Sequence, residues 1–314
     1  TVALATLGCK VNQCESAYLE EKLTQADFLI RPFTDRADLY CINTCAVTSR
    51  AAMQSRQLIR RALRQNPEAE VVVMGCYSQI AAEEIAAIPG VTHILGTNEK
   101  LSLLDYVARP EQDQPPCVHL NDARTSPAPQ PLVFSGFSYR TRAFLKVQDG
   151  CDAFCSYCIV PYARGRSRSI SLESVLGQVA RFLDRGYQEI VLTGIHLGQW
   201  GLDFKPRRDL IDLLRSIIEH CPPPRLRLSS LEPGEITSDL LDLITSEPSL
   251  CPHLHIPLQS GDATILANMN RHYHPDFYRD LVLEATQRIP DLAVGADVLV
   301  GFPGETDECF QNSY

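Results

Sequence analysis

The chain has 314 residues and a formal net charge of −9, with 45% hydrophobic and 21% charged residues. That is ample apolar material for a core, so disorder as the main state is excluded, and the length suggests about two domains. There is no apolar run long enough to span a membrane and no export leader, so a cytoplasmic protein is expected, and the acidic balance leaves nucleic-acid binding to a local basic patch.

Thr1 to Leu7 reads as a strand and Ser16 to Ala26 as a helix. Asp38 to Asn43 is a second strand, and Ser49 to Arg64 a long helix that stops near Pro67. Glu70 to Met74, with its Val71-Val72-Val73 run, is a third strand. A helix at Ala81 to Ala87, a strand at Val91 to Leu95 and a helix at Leu101 to Val107 follow. This alternation implies a parallel sheet with helices on both faces, a three-layer α/β domain over residues 1–108. Residues 109–135 read as a linker, because Pro110, Pro115, Pro116, Pro127, Pro129 and Pro131 crowd its first part.

A second alternating series occupies residues 136–314. Strands are expected at Phe144 to Gln148, Glu189 to Thr193, Arg225 to Ser229, His253 to Ile256 and Leu292 to Val300. Helices fall between them at 171–185, 209–219, 237–245 and 275–288. Five βα units in one run suggest a partial TIM-like (β/α) barrel. Asp307 to Tyr314 looks like the start of a further helix, so the chain reads as a fragment.

Twelve cysteines are the strongest chemical signal. Without an export signal, metal or cluster ligation is a better reading than disulfides. Cys151, Cys155 and Cys158 form a C-x3-C-x2-C run directly after the first strand of the second series. Three close thiolates suit an iron–sulfur cluster whose fourth iron keeps an open position. Zinc is the competing reading, but it usually brings a second paired knuckle, which is missing here. Cys9, Cys45 and Cys76 each lie one or two residues past a strand of the first domain. Parallel strands end on one shared edge, where ligands bind. The three are therefore expected to converge on a second cluster, against the alternative of three buried thiols. Cys41, Cys117, Cys221, Cys251 and Cys309 read as ordinary thiols.

The C-x3-C-x2-C run in the first βα loop of such a barrel resembles the radical S-adenosylmethionine (SAM) enzymes, and Tyr157 fits their pattern before the third cysteine. With both cysteine sets, the chain resembles the methylthiotransferase branch of that superfamily. The opening Thr6-Leu7-Gly8-Cys9-Lys10-Val11-Asn12-Gln13 is similar to the MtaB-type enzymes that act on N6-threonylcarbamoyladenosine of tRNA. Asn43 to Thr48, Val160 to Arg166, His253 to Gly261 and Val300 to Thr306 also match.

The resemblance implies a radical SAM core truncated before its last strand and before a C-terminal RNA-gripping TRAM domain. It implies two [4Fe-4S] clusters and SAM as cofactors. One cluster would cleave SAM to a radical that takes the hydrogen from C2 of the adenine at tRNA position 37. The other would hold the sulfur that becomes the methylthio group. A tRNA substrate, a flavodoxin- or ferredoxin-type electron donor and a sulfur source are the expected partners. Isopentenyladenosine tRNA or a ribosomal-protein aspartate is the alternative substrate, and a non-catalytic iron–sulfur protein the alternative class.

For SAM, Tyr157, Gly194, Glu232, Gln259 and Gly301 are the candidates, all on the expected catalytic rim. Gly194 could admit the SAM amino group or be a plain strand-end turn. Glu232 could bind ribose or be a loop acid. Arg164, Arg166 and Arg168, close after the cluster loop, are the RNA-binding candidates. Arg56, Arg60 and Arg64 line one helix face and read rather as a solvated stripe.

Overall fold

The computed structural model describes residues 1–107, 115–126, 128–138 and 140–314. Parts of the Pro-rich segment, including Pro110 and Pro127, lie outside the described residues. The chain forms two compact units. The first comprises Thr1–Ser138 with Gly150–Asp152 and Ile159–Arg166; the second comprises Tyr139–Asp149, Ala153–Cys158 and Ser167–Tyr314. No helix among the described residues is long and apolar enough to cross a membrane.

In the first unit, strand β1 (Val2–Thr6) leads into helix α1 (Lys10–Gln25). Short β2 (Ile30–Arg31) and β3 (Leu39–Thr44) precede α2 (Ser49–Gln65). Then come β4 (Glu70–Gly75), α3 (Cys76–Ile80), α4 (Ala82–Ala86), β5 (His93–Leu95), α5 (Leu103–Tyr106) and β6 (Cys117–His119), and the returning segment supplies α6 (Val160–Arg164). All six strands pair in parallel in the order β2-β1-β3-β4-β5-β6. Every residue of β3 is buried, as are Val71 to Met74 of β4, which explains the apolar runs Leu39 to Ile42 and Val71 to Met74. Tyr40, Ile42, Ile59, Val71, Val73 and Ile94 meet in one core. Thr48 caps α2 by accepting the N–H of Ala51 at 3.0 Å.

Two sequence readings change here. Helix α1 begins at Lys10 rather than near Ser16, so Cys9 is its N-cap residue. Residues 117–119, read as linker, form edge strand β6, which pairs with β5. Proline cannot donate to a ladder, yet it is tolerated just before an edge strand, so Pro115 and Pro116 do not prevent it.

In the second unit, β7 (Arg142–Lys146), β10 (Glu189–Thr193) and β11 (Arg225–Leu228) form a parallel sheet in the order β11-β10-β7. Between β7 and β10, β8 (Gln148–Asp149) and β9 (Arg168–Ser169) make a small antiparallel pair. Strand β12 (His253–His255) pairs in parallel with β13 (Ala293–Gly295), and an isolated parallel bridge from Ser230 to His255 links β12 to the segment after β11. The helices are α7 (Leu172–Asp184), α8 (Leu210–His220), α9 (Ser238–Ser246), α10 (Ala263–Asn268), α11 (Pro275–Arg288) and α12 (Asp307–Ser313). This is the expected run of βα units forming part of a barrel wall. Helix α10 was not expected; its six residues are too few to show a period.

Candidate functional site

The first unit carries Cys9, Cys45 and Cys76 at the C-terminal ends of β1, β3 and β4. Cys9 is exposed, while Cys45 and Cys76 are buried. Gly8 holds φ +93°, and a Cβ added there would stand 2.8 Å from Cys45 Cβ and 2.9 Å from its Sγ. Only glycine lets the turn carrying Cys9 come so close to Cys45. Burial pushes the Cys45 thiol above its ordinary value, and the nearby Cys76 and Cys9 push it further. The N–H of Val47 and the Arg164 guanidinium work the other way. The parallel sheet therefore brings the three thiols together.

Beneath them lies a buried ionic cluster. Glu15 of α1 pairs with Lys100 Nζ at 2.5 Å and with Arg164 Nη1 at 2.9 Å. Arg164 Nη2 donates to Asn12 Oδ1 at 2.5 Å, and Lys100 donates to Asn43 Oδ1 at 3.2 Å. Asn12 Nδ2 in turn donates to the carbonyls of Leu7 and Thr44, fixing the ends of β1 and β3 that carry two of the cysteines. Glu15, Lys100 and Arg164 are at most 1% exposed. One buried carboxylate faces two cations, so the cluster leaves one positive charge in excess beside the thiols. Nearby cations favour thiolate, the ligating form. Burial pulls the Lys100 ammonium below its ordinary value, while Glu15 and Cys76 hold it up.

This overturns the reading of Arg164 as an RNA contact: its guanidinium is committed to Glu15 and Asn12 inside the unit. Arg168 is likewise only 8% exposed, within strand β9, and does not present to a large ligand. Of the three, Arg166 is exposed. Arg56 is tied to Tyr77 and Glu84, whereas Arg60 and Arg64 face solvent.

The second motif is placed as follows. The Cys151 N–H donates to the Gly165 carbonyl at 3.0 Å within the first unit. In the second unit, Cys158 N–H donates to the Cys155 carbonyl at 2.9 Å. The segment after α10 braces this loop. Asn270 Nδ2 donates to the carbonyls of Ala153 and Phe154, and Ser156 Oγ donates to the Asn268 carbonyl at 2.7 Å. Arg271 Nη1 lies 3.3 Å from Cys155 Sγ, and its other amino group pairs with Glu232.

Beside Cys155 the second unit opens a cavity of ≈ 500 Å³. Glu232, Arg271, His196, Glu235 and Tyr273 line it with Cys155. That volume lies within the usual range for a small-molecule site. Burial raises the Glu232 carboxyl above its ordinary value despite Arg271 and His196. His196 Nε2 pairs with Glu235 at 2.7 Å.

Of the SAM candidates, Glu232 lines this cavity, and Gly194, Gln259 and Gly301 are not among its lining residues. Gly194 is glycine because a Cβ would stand 2.8 Å from Gln148 Oε1. That oxygen accepts the His196 N–H at 2.8 Å, so Gly194 shapes the loop that delivers His196. Gln259 is partly buried at φ +62° and forms a parallel bridge with Val298. Gly301 is exposed, and its N–H is held by Glu305. The Tyr157 ring meets Phe302 edge-on at 6.5 Å between centroids. Arg271 was missed by sequence reasoning, as were Glu15 and Lys100; each lies far in sequence from the groups it serves.

The donor sets fit the groups expected there. Three thiols at one sheet edge with buried cations nearby suit iron, because a coordinated thiol is deprotonated outright. An acid, an arginine and a histidine around a cavity walled by Cys155 suit a zwitterionic nucleoside such as SAM.

A profile described as "Uncharacterized protein family UPF0004" matches residues 1–96, and that of the Radical SAM superfamily matches residues 145–314. The threonylcarbamoyladenosine tRNA methylthiotransferase MtaB of Bacillus subtilis (strain 168) is 42% identical over 316 residues, which span 100% of this chain and 70% of that protein. The protein of the same name from Aquifex aeolicus (strain VF5) is 39% identical over 100% of this chain and 76% of its own length. A tRNA-2-methylthio-N(6)-dimethylallyladenosine synthase of Clostridium tetani is 32% identical over 100% and 70%. Among solved structures, the radical SAM methyltransferase TsrM from Kitasatospora setae superposes with a TM-score of 0.63 at 16% identity, over 98% of this chain and 69% of that one. The cobalamin-dependent radical SAM enzyme OxsB superposes at 0.57 and 11%, over 99% and 51%. At these identities the two share the fold. With two matching profiles and relatives aligned along its whole length, the chain belongs to the radical SAM methylthiotransferase family, enzymes that work with a [4Fe-4S] cluster and SAM.

Proposed function

We propose that this enzyme transfers a methylthio group to C2 of N6-threonylcarbamoyladenosine at position 37 of tRNA, giving 2-methylthio-N6-threonylcarbamoyladenosine. Cys151, Cys155 and Cys158 hold the SAM-binding [4Fe-4S] cluster, and Cys9, Cys45 and Cys76 hold a second one. The observation that carries the reading is the approach of Cys9 and Cys76 to Cys45 at one sheet edge. A barrel enzyme that only cleaved SAM would need no such trio. The names of the relatives and the Leu7-Gly8-Cys9-Lys10 opening support the substrate.

When bound, the clusters supply one-electron chemistry to SAM and a foothold for the inserted sulfur. The chain's own residues do the rest. Arg271 neutralises thiolate charge at Cys155 and holds Glu232 in the cavity wall. Glu232 and His196 offer polar contacts to a nucleoside, and Tyr273 gives an aromatic wall. Gly194 shapes the loop that delivers His196 to this cavity, whereas Tyr157, Gln259 and Gly301 are not among its lining residues. Glu15, Lys100 and Arg164 hold the turns carrying the first trio, and the Arg164 guanidinium partly offsets the burial of Cys45. Arg166 is the exposed cation of its loop and contacts RNA phosphate. A flavodoxin- or ferredoxin-type donor and a sulfur source complete the cycle.

The test is an anaerobic reaction of the reconstituted chain with SAM, reductant, sulfide and tRNA. One sample of tRNA carries threonylcarbamoyladenosine and another isopentenyladenosine. Nucleoside mass spectrometry should find the methylthio product on the first. Product on the second alone, or 5′-deoxyadenosine with no methylthio product on either, contradicts the assignment.

A further inference from the structure

His93, Cys117 and His119, none of them in either cysteine trio, stand together at the edge of the first unit's sheet. We propose that they bind one zinc ion through two imidazole nitrogens and a thiolate.

The sheet register builds this group. Strands β5 and β6 run parallel with His93 opposite Cys117. Cross-strand partners project to the same face, and so does His119, two residues beyond Cys117. One ligand atom from each residue lies within 4.8 Å of the other two. Zinc bonds of about 2.0–2.3 Å put tetrahedral ligand atoms roughly 3.5 Å apart, so a closure of about an ångström completes the site.

The state of His93 is the second observation. It is only 7% exposed, and neither ring nitrogen has a hydrogen-bond partner. A buried imidazole that makes no hydrogen bond costs stability, and a metal bond to one nitrogen offsets that cost. Its Nε2 lies 3.0 Å from Glu70 Oε1, outside hydrogen-bond geometry. Glu70 stands on the same face, because Val72, two residues on, is opposite His93. A carboxylate behind a ligating histidine is the usual support for zinc. It also balances charge: zinc with one thiolate is +1, and Glu70 is −1. The His119 ring is held by Tyr106, whose centroid is 4.3 Å away.

The donor set selects the metal. Two nitrogens and one sulfur suit a borderline cation, while magnesium and calcium take oxygen ligands. Cys117 is exposed, so the fourth position is open to water or another ligand. No local spacing marks this group, because His93 is 24 residues from Cys117 and on another strand.

The test uses the anaerobically reconstituted chain, with iron already on the other six thiols. Zinc chloride is added, excess is removed with a competing chelator, and retained zinc is measured. The wild type and Cys221→Ser should retain about one zinc each. Cys117→Ser and His119→Ala should retain at least tenfold less at unchanged iron content. X-ray absorption at the zinc edge should show one sulfur near 2.3 Å and nitrogens near 2.0 Å. Zinc should also raise the melting temperature of the wild type. Equal zinc in all four proteins, an all-sulfur shell, or no retained zinc in the wild type would overturn the proposal. Cys117 is exposed, so its substitution leaves the core intact, and the wild-type absorption spectrum is informative without any variant.

Discussion

The two cysteine trios are built in opposite ways. Cys151, Cys155 and Cys158 sit within eight residues of one loop, so spacing alone keeps them close. Cys9, Cys45 and Cys76 come from three strands and meet only because a parallel sheet ends its strands on one edge. The first unit reinforces that meeting with a buried charge cluster directly beneath. The second unit places its large charge cluster at the other end of its strands. There Glu189, Arg142 and Arg225 are the opening residues of β10, β7 and β11, and Arg227 joins them. Charge at the C-terminal edge serves a site, and charge at the N-terminal edge of a barrel serves stability. A local motif tolerates loose surroundings, whereas a dispersed one depends on the whole sheet.

The largest expected effect breaks the first arrangement. Glu15→Ala leaves Lys100 and Arg164 buried without their carboxylate, at a cost of about 3–5 kcal/mol in denaturant unfolding. Iron content of the reconstituted protein should fall by about half, as the dispersed trio is lost and the loop trio remains. Unchanged iron would mean that the charge cluster does not support the thiols.

The stabilising role of the second cluster is tested by acid. Burial pushes the Glu189 carboxyl up, but Arg227, Arg225 and Arg142 outweigh it and hold it down to about 2. Its folded value is therefore below its unfolded one. The resulting stability is fully present above about pH 4.5 and is lost as pH falls through about 2. Because Arg142 and Arg225 are half exposed, solvent screening holds the contribution to about 1–2 kcal/mol. Glu189→Gln should flatten the stability profile over that window and leave iron content unchanged.

A smaller effect tests the close approach at Gly8. Gly8→Ala places a Cβ against Cys45 at φ +93° and should cost about 1–3 kcal/mol, with weaker iron retention by the first trio. Smallest is Glu232→Gln, which keeps the shape of the cavity wall and removes one charge. It should raise the KM for SAM about tenfold, or about 1.4 kcal/mol, and leave the iron of both trios in place. An unchanged KM would remove Glu232 from the SAM site.

The order of strands and helices was legible because the βα alternation is regular. The position of Cys9, Cys45 and Cys76 was legible because strand ends can be read from apolar runs such as Val71 to Val73. Their support was not. Arg164 looked like an RNA contact because Arg166 and Arg168 are near it in sequence, and sequence does not reveal which of three alternating arginines turns inward. Glu15 and Lys100 are 85 residues apart and give no local pattern. Strand β6 was hidden by its prolines, and with it the companionship of Cys117 and His93. Arg271 follows a short helix with no visible period, so its reach to Cys155 was also hidden.

The most direct measurement is anaerobic iron and sulfide content of the reconstituted wild type, of Cys151→Ala, of Cys76→Ala and of the double variant. Two clusters predict about eight irons in the wild type, about four in each single variant and almost none in the double. About four irons in the wild type, abolished by Cys151→Ala and untouched by Cys76→Ala, would contradict the account.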